Sequence, residues 1–286
     1  MIRFIRGISI LLCAVSLLLY AGVSVYVWQH TDKSGPNILM SEDEITISTQ
    51  DDVSAVLSGI SAQDRKDGNV TDSLVMESMS NFVEEGCREV TIVAFDGDGN
   101  VAKVRRKVRY SDYVSPRITL TGPLRVAVNN SSELMNYIRA EDCLDGDLTS
   151  AVQVTSEKAV SGTTPGEYTM HIQVSNSAGD VTDLPVTVEY YDYTLESQSI
   201  KILLNEYLVY TKVGQALDPY TYLKGIKVHG TEYDWDSVTP PQMSRESVSV
   251  EDPVDYHTPG TYEILYSVQN EAGEQGRVRL IVVVEE

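Results

Sequence analysis

Gly166-Glu167-Tyr168-Thr169-Met170-His171-Ile172-Gln173-Val174-Ser175-Asn176-Ser177-Ala178-Gly179-Asp180 sets apolar side chains at 170, 172 and 174 and then breaks at Asn176, with Gly179 three residues on. A spacing of two is the period of a half-buried strand, because successive side chains of extended backbone point to opposite faces. Asn with a following Gly supplies a tight reversal, since both tolerate the backbone angles a hairpin loop needs. A second strand is therefore expected over Val181–Tyr190. Pro165-Gly166, just ahead of the first strand, reads as a type II turn: Pro presets φ at one turn position and Gly accepts φ > 0 at the next.

The run aligns without gaps on Gly86–Asn100 and on Gly260–Glu274, where residues 90/92/94 and 264/266/268 keep the period of two and Val101–Tyr110 and Arg277–Val284 are the returning strands. Upstream of the first two copies lies another shared element. Ala62-Gln63-Asp64-Arg65-Lys66-Asp67-Gly68-Asn69-Val70-Thr71 returns 78 residues later as Ala140-Glu141-Asp142-Cys143-Leu144-Asp145-Gly146-Asp147-Leu148-Thr149. A fixed period means tandem copies of one unit. The third copy keeps Pro259-Gly260 and its hairpin and lacks the Asp-Gly segment.

Beyond the N-terminus no stretch sustains an apolar period of 3.6, so helices should be few. Many short strands, with turn signals at the roughly 8–12-residue spacing of sandwich folds, predict an all-β chain of three tandem Ig-like β-sandwich domains. The expected boundaries are 38–114, 115–193 and 194–286, with Pro36 and Pro116 at the entries of the first two. Tyr168 and Tyr262 fall two residues after the turn glycine, where an Ig-type sandwich places the tyrosine that ties a corner back to the backbone. Arg88 stands there in the first unit. Linkers this short predict a stiff or semi-stiff row of domains.

Ile8–Trp28 is a run of 21 uncharged residues, preceded by Arg3 and Arg6 and closed by Tyr26 and Trp28. Such a run is long enough to cross a bilayer as a helix. The basic flank and the aromatic end give an N-in, C-out span: cytoplasmic tail 1–7, transmembrane signal-anchor helix 8–28, linker 29–37. A cleaved signal peptide also fits the basic start, although the run exceeds the usual apolar region of about 7–15 residues and lacks a clear small-x-small site. Leu12 before Cys13 is not the small residue that a lipidation signal requires.

The net charge is −20, and past residue 35 the chain holds 19 Lys+Arg against 41 Asp+Glu. That balance opposes binding to nucleic acid or anionic lipid and suits a solvated surface, cations or cationic partners. Cys13, Cys87 and Cys143 are far apart and without zinc-ligand spacing. Cys87 and Cys143 fall in neighbouring units; reduced thiols are the default, and a bridge needs Cα atoms about 4.4–6.8 Å apart.

The frame of Asp142, Asp145, Gly146, Asp147, Thr149, Pro165, Gly166, Tyr168, Asn176 and Gly179 resembles the Ig-like repeats of bacterial surface proteins, known as the DUF5011 or Cry22Aa-type Ig-like domain. The second unit matches best, the first lacks the Pro-Gly-x-Tyr corner, and the third lacks the Asp-Gly segment. The resemblance implies an extracellular spacer or adhesion role. It leads us to expect a single-pass, non-enzymatic protein of the bacterial cell membrane, presenting its domains outside the cell as a stalk, adhesion or interaction module toward a protein or glycan partner. The alternatives are a carbohydrate- or cell-wall-binding protein using the third domain, and a structural component of an envelope complex.

Candidate sites are few. Asp64 and Asp67, with Asp142, Asp145 and Asp147, cluster carboxylates as a hard cation such as calcium requires, while the same residues can accept hydrogen bonds from their own turn amides. Asp96-Gly97-Asp98-Gly99-Asn100 opens like an EF-hand loop, but Val101 and Lys107 occupy the positions of the invariant Gly and the bidentate Glu, so a hairpin turn is expected. Tyr220, Tyr222, Tyr233 and Trp235 can form a sugar-binding platform or serve as ordinary sandwich aromatics, with Trp235 in Glu232-Tyr233-Asp234-Trp235-Asp236 as the outward candidate. His171, His229 and His257 are scattered, and no nucleophile, zinc-protease or phosphate-loop motif is present, so catalysis is not expected.

Overall fold

The structure, a computed structural model, describes residues 2–30, 32–156, 160, 162–196, 200–235 and 243–286; Asp236 of the aromatic segment lies outside them. An α-helix runs over Ile2–His30, and within it Arg6–Trp28 is a 23-residue stretch of mean hydropathy 2.4. At about 1.5 Å per residue, 23 residues reach about 34 Å, against about 30 Å for the hydrocarbon core of a bilayer. Ile10, Leu11, Leu12 and Tyr20 point to four different sides of the helix and are all exposed. A helix apolar on every side has no single face to lay on a soluble core, and suits lipid. Membrane anchors and signal sequences share that property. Past its end, the Lys33 ammonium lies 4.9 Å from the centre of the Trp28 ring.

The chain divides into two compact units, Met1–Asp112 and Tyr113–Glu286. After the helix, the first unit is one β-sandwich. Asn37–Met40, Ile60–Asp64 and Gly68–Asn69 form a three-stranded sheet; Glu44–Ile47, Val101–Tyr110, Cys87–Phe95 and Val75–Glu84, adjacent in that order, form the other. The inward phase of the central hairpin is the expected one: Val90, Ile92 and Ala94 are fully buried, with Val56, Ala62 and Val108. Arg106 breaks the pattern, buried to 2% exposure on that phase. Its Nη1 donates to the carbonyls of Ser58 at 2.5 Å and Val56 at 3.2 Å, which gives the short 3-10 turn Val53–Leu57 a buried donor.

The second unit holds two sandwiches of the same plan. One pairs the sheet Arg117–Leu120, Ile138–Asp142, Gly146–Asp147 with the sheet Arg125–Ala127, Val181–Tyr191, Gly166–Ser175, Gln153–Thr155. The other pairs Lys201–Leu204, Leu223–Val228 and Thr231–Asp234 with Leu208–Lys212, Gln275–Glu285, Gly260–Gln269 and Ser249–Glu251. In all three sandwiches one short early strand runs parallel to the last strand: Glu44 opposite Lys107, Arg125 opposite Glu189, Leu208 opposite Ile281. The other pairings are antiparallel.

The two sandwiches of the second unit share packing. Leu208 and Ile281 of the last join the buried cluster of the middle one. Tyr210 donates through its hydroxyl to the Ile118 carbonyl at 3.0 Å and accepts from the Ile118 amide at 3.0 Å, while the Arg117 guanidinium sits 4.5 Å from its ring and reaches Glu285 at 2.8 Å. Arg279 pairs with Glu263 in its own sandwich and Glu167 in the other, and Glu263 also accepts from the Thr187 amide at 2.5 Å.

Candidate functional site

The hairpin tips are built alike. Asp96, Asn176 and Asn270 each accept, through the backbone carbonyl, from the glycine three residues on, and each donates its amide to the carbonyl four residues on. Their side-chain oxygens cap the loop amides: Asp96 Oδ1 accepts from Asp98 and Asn100, Asn176 Oδ1 from Ala178 and Asp180, and Asn270 Oδ1 from Glu274. The segment 96–100 is thus a hairpin turn. At the opposite end of the hairpins, Tyr168 donates to the Thr164 carbonyl at 3.1 Å and Tyr262 to that of Thr258 at 3.0 Å, the expected corner ties. Arg88, in the tyrosine position of the first unit, donates through Nε to Ser80 at 2.6 Å instead.

The Asp-Gly segment folds against this tip. Asp64 Oδ1 accepts from the amides of Lys66 at 2.7 Å and Asp67 at 2.9 Å, and Gly68 then takes φ 76°. In the second copy Asp142 Oδ1 accepts from Leu144 and Asp145, and Gly146 takes φ 72°. The last residue of the motif closes it, Thr71 accepting from the Ala62 amide and Thr149 from that of Ala140. Asp67 reaches across to the hairpin and accepts from the Gly97 amide at 2.7 Å; Asp145 does the same from the Ser177 amide at 2.6 Å and also takes the Ser177 hydroxyl. The pattern Ala-x-Asp-x-x-Asp-Gly-x-apolar-Thr is thus a clasp holding a loop on a hairpin tip.

The two clasps differ at one atom. In the second, Asn176 Nδ2 donates to Asp142 Oδ2 at 3.1 Å, with both residues buried, and to the Tyr113 hydroxyl, which itself donates to Asp180 at 2.5 Å. Burial and then Asp180 push the Tyr113 phenol up. In the first, the equivalent residue is Asp96, which has no donor to offer. Asp64 Oδ2 is buried there without a hydrogen-bond partner among the described residues. Asp64, Asp67 and Asp96 each place a carboxylate oxygen within 4.8 Å of the others, and no other such acidic, His or Cys group occurs among the described residues. The side chain of Asn100, then loop amides, holds the Asp96 carboxyl below its ordinary range. Asp147 stands apart on the surface, where the Thr149 hydroxyl and amide hold its carboxyl low.

Sequence reasoning placed Asp64 and Asp67 at a candidate site and missed Asp96, 29 residues beyond Asp67 and assigned to the turn alone. The signal was present in the aligned copies, where Asp96 replaces Asn176 and Asn270. Asp142 and Asp145 are committed to Asn176 and Ser177.

Trp235 is a correction. It is 7% exposed and belongs to the core cluster of the last sandwich with Ile226, Met243 and Tyr266. The reason is local: His229-Gly230, at φ 49° and 86°, makes a two-residue turn in place of an Asp-Gly loop. The returning strand Thr231–Asp234 then delivers Trp235 inward. Tyr233 is half-buried against the same core, and of the four aromatics Tyr220 is exposed. Cys87 and Cys143 carry no disulfide, and burial pushes the Cys87 thiol up. His171 lies 3.0 Å from Asp183 and His229 3.4 Å from Glu274, both as surface pairs.

The family model described as bacterial surface protein, Ig-like domain, matches residues 228–284, most of the last sandwich. An uncharacterized 81.3 kDa protein of Acholeplasma phage L2 is 24% identical over 127 residues, 41% of this chain and 17% of the phage protein. Among solved structures, the CBM51-2 and INT domains of Clostridium perfringens ZmpB, in complex with GlcNAc, are 20% identical over 52% of this chain and 26% of theirs, with a TM-score of 0.22. Domains 6–7 of the surface layer protein SbsC are 11% identical over 54% of this chain and 97% of theirs, with a TM-score of 0.19. Likeness at that level carries no inference about binding.

Proposed function

We propose that this chain is a non-enzymatic bacterial surface protein, held in the cell membrane by residues 8–28 with its N-terminus in the cytoplasm, whose Ig-like sandwiches form a stalk and interaction module outside the cell. The supporting observation is the helix Ile2–His30, apolar on every side and followed closely by β-sandwiches, the last of which matches a bacterial surface Ig-like family. Arg3 and Arg6 on one flank, with Tyr26 and Trp28 on the other, favour that orientation. The acidic surface directs the search for a partner to proteins or glycans, away from nucleic acid. A glycan platform centred on Trp235 loses its support with the burial of that ring.

Expression of the full-length chain in bacteria, carbonate washing of membranes and protease treatment of intact cells test the proposal. The chain is expected to stay with the membranes at full mass and to be cut from outside. A soluble product lacking the first ~30 residues, the span of the apolar run and its flanks, overturns the anchor; full protection from protease in intact cells overturns the orientation.

A further inference from the structure

We propose that the first sandwich binds one hard divalent cation of the calcium class between Asp64, Asp67 and Asp96, at the place where the second sandwich uses an asparagine amide. Asp64 is 7% exposed, and its Oδ2 is buried and unpartnered among the described residues. Leaving a charged oxygen buried without a donor is costly, and native structures supply a partner. The second copy shows what occupies the equivalent position there: Asn176 Nδ2, 3.1 Å from Asp142 Oδ2. With Asp96 in that place the first copy exchanges a donor for another carboxylate, so both sides of the gap are acceptors and a cation satisfies them together.

The distances suit such an ion. Calcium takes oxygens at about 2.3–2.6 Å, so two oxygens on one ion lie at most about 5 Å apart, and the three carboxylates each place an oxygen within 4.8 Å of the others. The ligands are also fixed beforehand. Asp64 is held by two turn amides, Asp67 by the Gly97 amide, and Asp96 by the Asp98 and Asn100 amides and the Asn100 side chain. The nearby ammonium of Lys66 is engaged with Asp98, at 2.5 Å. Three carboxylates with water completing the shell place the affinity at about 10⁻⁴–10⁻³ M, the range of extracellular calcium modules.

Calorimetric titration of the full-length protein in detergent with calcium chloride, in about 150 mM salt to screen diffuse surface binding, tests the assignment. One saturable site is expected, and at 10 mM calcium with a dissociation constant of about 10⁻³ M the folded first sandwich is favoured about 10-fold. Asp96→Asn installs the residue of the other copies, whose Oδ1 already caps this loop, and is expected to abolish binding with the fold intact by circular dichroism. Asp67→Asn, which keeps an acceptor for Gly97, should do the same. Asp72→Asn removes an equal charge from an exposed position of the same sandwich and should leave binding in place. No saturable site in the wild type up to 10 mM, or equal binding in Asp96→Asn, overturns the proposal.

Discussion

Asn176 Nδ2 and Asp142 Oδ2 lie 3.1 Å apart, each residue buried, so that one amide fastens the hairpin tip of the second sandwich to its Asp-Gly loop. The same side chain accepts from Ala178 and Asp180. Asn176→Ala therefore strands a buried carboxylate oxygen and two loop amides at once, and is expected to destabilise the second unit by about 2–4 kcal/mol. Urea unfolding followed by tyrosine fluorescence measures the shift.

The corner tyrosines should behave as a matched pair. Tyr168→Phe and Tyr262→Phe each remove one hydrogen bond to a backbone carbonyl, at the edge of solvent in both cases. Each is expected to cost about 0.5–1.5 kcal/mol, with the two losses adding because the corners belong to different sandwiches. Calorimetric melts of the single and double variants check both statements.

Trp235→Ala tests the correction at that residue. A buried indole removed from a core costs about 3–5 kcal/mol, so the last sandwich should melt well below the wild type. A variant of unchanged stability would show that the ring does not pack in the core.

Acid should weaken the fold at its turns. Accepted hydrogen bonds hold Asp96, Asp147 and Asp255 below the ordinary aspartate range, through Asn100 first, the Thr149 hydroxyl first and the His257 amide first, respectively. A carboxyl lower in the folded than in the unfolded state contributes stability that is complete above the unfolded value and lost as pH falls through the folded one. Denaturation midpoints should thus be level between about pH 5 and 7 and fall below about pH 4, as measured in urea at pH 3, 4 and 6.

Much of this architecture could be read from the chain because its strands are long and their turns chemically marked. The period of two at 90/92/94 and its two repeats, ended by Asn or Asp with Gly three residues on, located all three central hairpins. The parallel strands Glu44–Ile47, Arg125–Ala127 and Leu208–Lys212 carry no such mark, since a strand of three to five residues at a sheet edge is too short for a period. Trp235 was misplaced because a loop that repeats in two copies is a two-residue turn in the third. Arg106 shows the same limit: an arginine at an inward position is legible only once the carbonyls of Val56 and Ser58 are seen beneath it.

That parallel pairing bears on how each sandwich carries a mechanical load. Glu44–Ile47 lies alongside the last four residues of Val101–Tyr110, from Lys107 to Tyr110, and runs in the same direction. Tension applied between the two chain ends pulls these neighbours in opposite senses along their length, so the ladder is sheared with its bonds loaded together. A hairpin pulled at both ends of its mouth would open one bond at a time. With the arrangement repeated at Arg125–Ala127 and Leu208–Lys212, tension along the chain meets such a sheared ladder in each of the three sandwiches.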